Sequence, residues 1–383
     1  MYLQIETAKS FESLRRCADG WDNLALESVH KSPMLSYSWV STYLENRLQP
    51  KEGWICLLAH DGSTLVGVLP LVIQRRSMLG KPVTIYSTPQ DLHTLSGDLL
   101  VKSGYETHFL GAILSALDRN EPNCLSIEMR GVVEYSPTMK LGSTNDQDMI
   151  IMSDFSRYAS YIKITKDFEE FKKGLSFNFQ ANLRKARNKL NKRGNVAYRY
   201  QMGKDAVEKH FTMFLDLEAS GWKGKEGTAI KLNQDLVAFY SSLVHRLAER
   251  GWLEWHFLII EGKPTAGHLA VRMGRRLTLL KIAYDETYSE CAPGNMLLYN
   301  LIERAYQSDD TDEIDCLTDM PWHRNWDMPQ KKYYRVMMYP RRPLPLFYSY
   351  LPHVARNIAK RVPGIRPLVR RIRNGRSGGA KSV

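Results

Sequence analysis

The sequence predicts a mixed α/β (α+β) chain built as two similar halves, each a mixed sheet flanked by helices, with a basic tail after them. Three observations carry that expectation. Residues 62–76 (GSTLVGVLPLVIQRR) and 262–276 (GKPTAGHLAVRMGRR) align without a gap, so that Gly62, Gly67, Leu69 and Arg75–Arg76 meet Gly262, Gly267, Leu269 and Arg275–Arg276. Each copy follows an apolar run, at 54–59 and 255–260, and a Gly-containing turn, which is the signature of a β-hairpin. In both halves the hairpin is followed by a helical pattern and then a strand, the order expected of a sheet covered by helices.

Taken along the chain, residues 34–48 read as a helix entered through Ser32–Pro33, and the first hairpin occupies about 54–76. Phe109, Leu110, Ile113, Leu114 and Leu117 recur at helical spacing within 105–119, and 124–129 reads as a strand. In the second half 168–193 and 206–219 read as helices. So does 232–250, with Leu232, Leu236, Phe239, Leu243 and Leu247 as one apolar stripe. The second hairpin (253–273), a strand at 277–284, a helix from 294 to 307 and a strand at 313–317 complete the unit. The expected division is 1–160, 161–340 and a tail from 341 to 383.

With 383 residues the chain can fill two ordinary cores, and 43% apolar residues suit a globular protein. No apolar run approaches the roughly 20 residues of a membrane helix. The first sixteen residues hold no apolar signal core, so a cytoplasmic protein is expected. The five cysteines are scattered without CxxC or zinc spacing, so no structural metal is expected. The net charge of +12 is local: residues 341–383 hold eleven Lys or Arg and no acid, leaving the first 340 residues at about +1. A general nucleic-acid-binding body is therefore not expected.

The richest segment is 277–326. A strand ends at Ala283–Tyr284, a polar loop leads to Pro293-Gly294-Asn295-Met296, and an amphipathic helix starts at once. Unpaired N–H groups at a helix start attract anions, and glycine permits close approach, so a pyrophosphate can dock there; such residues also simply cap helices. His268 stands where the first copy has Val68, and His323 lies within PWHRNW near Asp319. Either histidine can act as a general base or be a hydrogen-bonded structural residue. Tyr284 can donate a proton or be a core aromatic. Helix 172–193 carries eight cations without an acid, Arg184 among them, either for phosphate contact or as a solvated face. The loop GWKGKEG (221–227) offers Trp222 and Lys223 as a lid over an acceptor, and it lacks Walker spacing.

The order of strand, Pro-Gly loop, helix, strand and aromatic–basic–Trp element (Trp322, His323, Arg324, Trp326) resembles the GNAT acyltransferase superfamily. More narrowly, 179–190, 217–230, 262–270, 284–298 and 315–326 resemble its two-lobed branch of CelD-type (cellulose biosynthesis) acetyltransferases and FemAB-like transferases. The resemblance spans about 30–335. It implies two GNAT-like lobes, the first a degenerate support and the second catalytic. It also implies direct acyl transfer from acetyl-CoA or another acyl-CoA, without metal, to an amine or hydroxyl. Donor contacts would fall on Pro293, Gly294, Asn295 and Met296, with catalysis by His268, His323, Asp319 and Tyr284. Acceptor contacts would fall on Trp222, Lys223, Arg184, Trp322 and Trp326. The family context points to a cell-envelope or exopolysaccharide precursor. Of the usual Gln/Arg-x-x-Gly-x-Gly/Ala loop only Gly294 matches clearly, so FemAB-like transfer from aminoacyl-tRNA stays open, as does a non-catalytic binding protein.

In the tail, Leu351, Val354, Ala355, Ile358 and Val362 fall at helical spacing, with Arg356, Lys360 and Arg361 on the other side and Phe347, Tyr348 and Tyr350 before them. A basic amphipathic stretch suits an anionic membrane surface on the cytoplasmic side; a tail packed on the body is the alternative.

Overall fold

The computed structural model describes residues 3–361 apart from 79, 121–122, 144–148 and 166. Its first half runs β1 (Gln4–Ala8), α1 (Phe11–Arg16), α2 (Ala18–Glu27), α3 (Tyr37–Asn46), β2 (Glu52–Asp61), β3 (Thr64–Met78), β4 (Lys81–Ser87), β5 (Leu100–Val101), α4 (Glu106–Asn120), β6 (Cys124–Val133) and β7 (Met149–Lys163). The second runs α5 (Phe168–Gly174), α6 (Phe177–Asn191), β8 (Val196–Met202), α7 (Val207–Ser220), α8 (Trp222–Lys225), α9 (Gln234–Glu249), β9 (Leu253–Ile260), β10 (Lys263–Met273), β11 (Arg276–Tyr284), α10 (Pro293–Ser308), β12 (Glu313–Asp315) and β13 (Gln330–Pro340).

The strands form one thirteen-stranded sheet in the order β1-β2-β3-β4-β6-β13-β7-β12-β11-β10-β9-β8, with β5 on β3. Read inward from either edge the order is the same: a first strand, the two strands of the hairpin, a fourth strand, and then a parallel partner reached through a helix. The parallel pairs are β4–β6 and β11–β12. The expected boundary at 160/161 falls inside β7, which pairs with β13 along most of its length and with β12 at its end. β13 in turn lies between β6 and β7.

The core has three main parts. One lies between the halves, where Trp39 of α3 meets Phe239 of α9 edge-on at 6.0 Å beside Leu243, Val244 and Leu247. Arg250, at the C-terminal end of α9, reaches Asp22 of α2 at 2.9 Å. The others lie under α4 and under α6 with α10.

Local chemistry explains where elements differ from expectation. The 168–193 helix is two helices, because Ser176 accepts from the Phe179 N–H at 3.2 Å and caps a new start. Leu232 is exposed and outside α9, whose cap is Asn233, accepting from Leu236 N–H at 3.1 Å. The hairpins do not superimpose on the ungapped alignment. Val66 is the bulged residue in β3 and Thr265 the one in β10, so the true offset is 199. A one-residue slip exchanges the faces of a strand. Leu69 accordingly packs under α4, whereas Leu269 packs between the halves. The counterpart of His268 is Leu69, not Val68.

Among the described residues no helix is long and apolar enough to cross a membrane. The tail helix Leu351–Arg361 packs on the body; Val362 and the rest of the tail lie outside the described residues.

Candidate active site

β11 and β12 pair only over Arg276–Glu313, Leu277–Ile314 and Thr278–Asp315, and then part. Asp315 causes the parting. Its Oδ1 accepts the N–H of Leu317 at 2.8 Å, and Leu317 adopts a left-handed φ of 59°, which turns the chain away from β11. Beyond Thr278, therefore, one edge of β11 has no strand beside it among the described residues. β11 also carries a bulge at Leu280, seen as the register change between Leu269/Lys281 and Ala270/Leu279. A bulge leaves its extra residue outside the ladder and re-aims side chains.

Two cavities meet at this gap. One, of about 320 Å³, lies on the α10 face and is lined by His268, Ile282, Tyr284, Pro293, Gly294 and Asn295 among others. The other, of about 550 Å³, lies on the inter-half face; its wall includes Leu92, Leu95, Trp222, Lys281, Leu317 and His323. Leu279, Ile282, Ala283, Tyr284 and Trp322 line both.

The start of α10 is built to leave donors open. Ala292 holds a left-handed φ of 44°, Pro293 occupies the first turn, and no side chain caps the helix. In the same wall His268 is buried with its Nδ1 unpartnered, and burial with His256 beside it pushes its pKa well below the usual histidine range. An uncapped helix start, an unpaired strand edge and an orphaned buried imidazole nitrogen are a donor set that fits the phosphates and amides of an acyl-CoA.

The inter-half cavity holds a polar group that the sequence reading passed over. Lys281 Nζ lies 3.2 Å from His93 Nδ1, which is 3.1 Å from the Tyr240 hydroxyl. Burial and the nearby Lys223 push the Lys281 ammonium down to about 8, against Glu218 and Asp91. Burial and Lys281 push His93 down to about 4. A lone lysine in the apolar strand LTLLKIAY was the available signal; His93 comes from the other half and had none. Arg157 was also missed. Its guanidinium bonds the carbonyls of Leu95, at 3.0 Å, and Leu317, clamping walls from both halves, and stacks over Tyr333 at 4.0 Å.

Of the residues expected from sequence, His268, Tyr284, Pro293, Gly294, Asn295, Trp222, Trp322 and His323 line these cavities, with the two histidines on different ones. Met296 does not: it is a core residue under α10. Trp326 is fully buried and packs edge-on against Phe179 at 5.0 Å. Lys223 lines the wall as a tether, donating to Glu218 at 2.7 Å and to the Ile282 carbonyl at 3.1 Å. Arg184 lies at a separate cavity with Lys172, Arg187 and Tyr299. Asp319 accepts from Ser160 at 2.8 Å, while His323 Nδ1 takes the Met320 N–H at 3.2 Å. Burial lowers the His323 pKa, with Asp319 opposing.

Residues 178–324, which include the parted pair β11–β12 and the start of α10, match the family described as Acetyltransferase (GNAT) domain. That matched segment, within the second half, is what the chain shares with GNAT acetyltransferase domains. Within the superfamily the matching family is the CelD-like one. Among solved structures it is similar to FemX, with 12% identity, TM-score 0.58, and 86% of this chain and 96% of that one covered. A conserved protein from Bacteroides thetaiotaomicron VPI-5482 is similar at 13% identity and TM-score 0.53, covering 88% of this chain and 100% of that one. At these identities the likeness establishes the fold. No curated protein matches the chain.

Proposed function

We propose that the protein transfers an acyl group from acetyl-CoA, or a related acyl-CoA, to an amine. The donor enters on the α10 face and the acceptor on the inter-half face. The observation that carries this reading is the gap between β11 and β12, where the two cavities meet. The donor's amide-bearing arm would pair with the open edge of β11, and its phosphates would meet the N–H groups at Gly294 and Asn295. The two halves read as a duplicated pair of lobes, the first lending its loop around His93 to the acceptor side.

We assign proton removal to Lys281 rather than to either histidine. His268 opens onto the donor face, and His323 has its Nδ1 committed to backbone. Lys281 lines the inter-half cavity, and with its pKa lowered to about 8 by burial its neutral amine is available to take a proton from the acceptor's ammonium. The acceptor ammonium gives a proton to neutral Lys281 Nζ, and its nitrogen attacks the thioester carbonyl carbon. Charge on the carbonyl oxygen is met by backbone N–H at the Leu280 bulge. The C–S bond then breaks, and the thiolate takes the second proton that nitrogen loses as the amide forms. Lys281 returns its proton to water. His323 and Trp322 hold the acceptor, and Tyr284 divides the two cavities. An amino sugar of an envelope or exopolysaccharide precursor would satisfy both the pocket and the family context.

Calorimetry of the full chain with acetyl-CoA tests the donor assignment. Binding is expected, and Gly294→Val should weaken it by about 10²-fold by displacing the phosphates from the helix start. A Cβ at Gly294 meets only Tyr284, at 3.8 Å, so the variant should fold. Unchanged affinity in a folded variant would remove the site. Binding of charged tRNA with none of any acyl-CoA would replace the donor.

A further inference from the structure

We propose that the C-terminal helix Leu351–Arg361 and the turn before it form a docking face for an anionic membrane surface. The helix is fixed to the body on one side. His353, 7% exposed, presents Nε2 to Asp154 Oδ2 at 2.7 Å, and its Nδ1 receives the Tyr339 hydroxyl. Asn357 donates to Asp154 Oδ1 at 2.8 Å. These contacts set the roll of the helix. They leave Phe347, Leu351 and Ile358 turned outward, at 64%, 47% and 58% exposure, with Tyr348 beside them. Positions 347, 351 and 358 fall close to one line on a helical surface, and Val354 and Ala355 fall between them.

Charge selects the occupant. Residues 341–383 hold eleven Lys or Arg and no acid, and Arg341 and Arg356 are exposed in the described part. A nucleic acid would use the cations and leave the stripe in water. A protein groove would use the stripe and need an acidic rim. An anionic bilayer uses both, with the apolar stripe at the headgroup–acyl boundary and the cations at lipid phosphates. The helix is far too short to span, so the mode is in-plane and reversible. Because the helix is fixed to β7 and β13 through Asp154 and Tyr339, docking would hold the whole body at a set orientation to the bilayer. This proposal does not rest on the acyl-transfer reading.

The test is co-flotation of the full chain with phosphatidylcholine vesicles containing a minority of phosphatidylglycerol, against pure phosphatidylcholine vesicles and a single-stranded oligoribonucleotide. At low salt the anionic vesicles should carry the protein at least about tenfold better than the neutral ones, with the preference fading at 1 M salt, where the Debye length is about 3 Å. The F347S/L351S/I358S variant changes outward side chains only, and its flotation should fall about tenfold with the melting temperature unchanged. Leu351→Glu is the second variant should the triple change perturb folding, with the same loss expected. No flotation of the full chain, equal flotation with neutral vesicles, undiminished flotation of a folded variant, or binding of the oligoribonucleotide alone would each overturn the proposal.

Discussion

The two halves of the sheet open in the same place, and only one leaves the opening free. In the second half β11 and β12 part after Thr278–Asp315, and two cavities occupy the gap. In the first half β4 and β6 pair from Thr84–Cys124 to Ser87–Glu128, and the loop that follows continues the ladder. Thr88 N–H bonds the Glu128 carbonyl at 2.9 Å, and Gly97 N–H bonds that of Arg130 at 2.7 Å. Gly131, at a left-handed φ of 72°, lets the Leu95 carbonyl approach so closely that a Cβ would collide with it. The same loop sends Leu92, Leu95 and His93 across to the second half, where the two leucines wall the open cavity and His93 bonds Lys281. One copy fills its own gap, and the filling helps to shape the site of the other.

The comparison is broken most severely at Lys281, the residue proposed to remove the proton on the open side. Lys281→Met should lower turnover by about 10²–10⁴-fold while calorimetry still finds the donor bound. The wild-type rate should rise with pH to a plateau above about 8. Burial favours the uncharged amine, so the proton-accepting form is populated above the lowered pKa and lost below it. Persistence of that limb in the methionine variant would assign the base elsewhere.

A smaller effect is expected at Arg157, which joins the two sides. Arg157→Gln leaves the Leu95 and Leu317 carbonyls without their shared donor, at a cost of about 1–3 kcal/mol. Denaturant unfolding should register that loss, and the acceptor KM should rise more than the donor Kd, because both carbonyls belong to the inter-half cavity. Equal weakening of donor and acceptor would show a general loss of stability instead.

The smallest change sharpens the contrast between the hairpins. A Cβ at Gly67 would run into the buried ring of Phe109, so Gly67→Ala should cost about 1–3 kcal/mol by over-packing. At Gly267 the nearest atoms are the Phe257 ring at 3.1 Å and Leu217 at 3.2 Å, which need give only slightly. Thermal melts should rank Gly67→Ala below Gly267→Ala, and the reverse order would contradict the packing described under α4.

The sequence showed the hairpins, the helix at 294 and the family because those signals are local: turn glycines, periodic leucines, a Pro-Gly helix start. It hid whatever depends on pairing at a distance. Both hairpins carry their bulge at the equivalent place, Val66 and Thr265, so the structural offset is 199 where the matched glycines gave 200, and His268 takes the face of Leu69 rather than that of Val68. Trp326 and Met296 carry the same letters as site residues, and only packing shows them in the core. His93 and Arg157 sit in unremarkable stretches, and they become part of the site because the chain crosses from one half to the other.

That crossing has a consequence during synthesis. β13, which starts at Gln330, fills the place between β6, which ends at Val133, and β7, which ends at Lys163, and so is made long after both. When the ribosome has finished the first 163 residues, the sheet they belong to still lacks an inner strand, with β6 and β7 each presenting a bare edge. Nascent domains ordinarily fold in order from the amino end. Here the first half must wait for the last strand, and a messenger cut between the halves would yield two open-edged pieces prone to pair with whatever strand they meet.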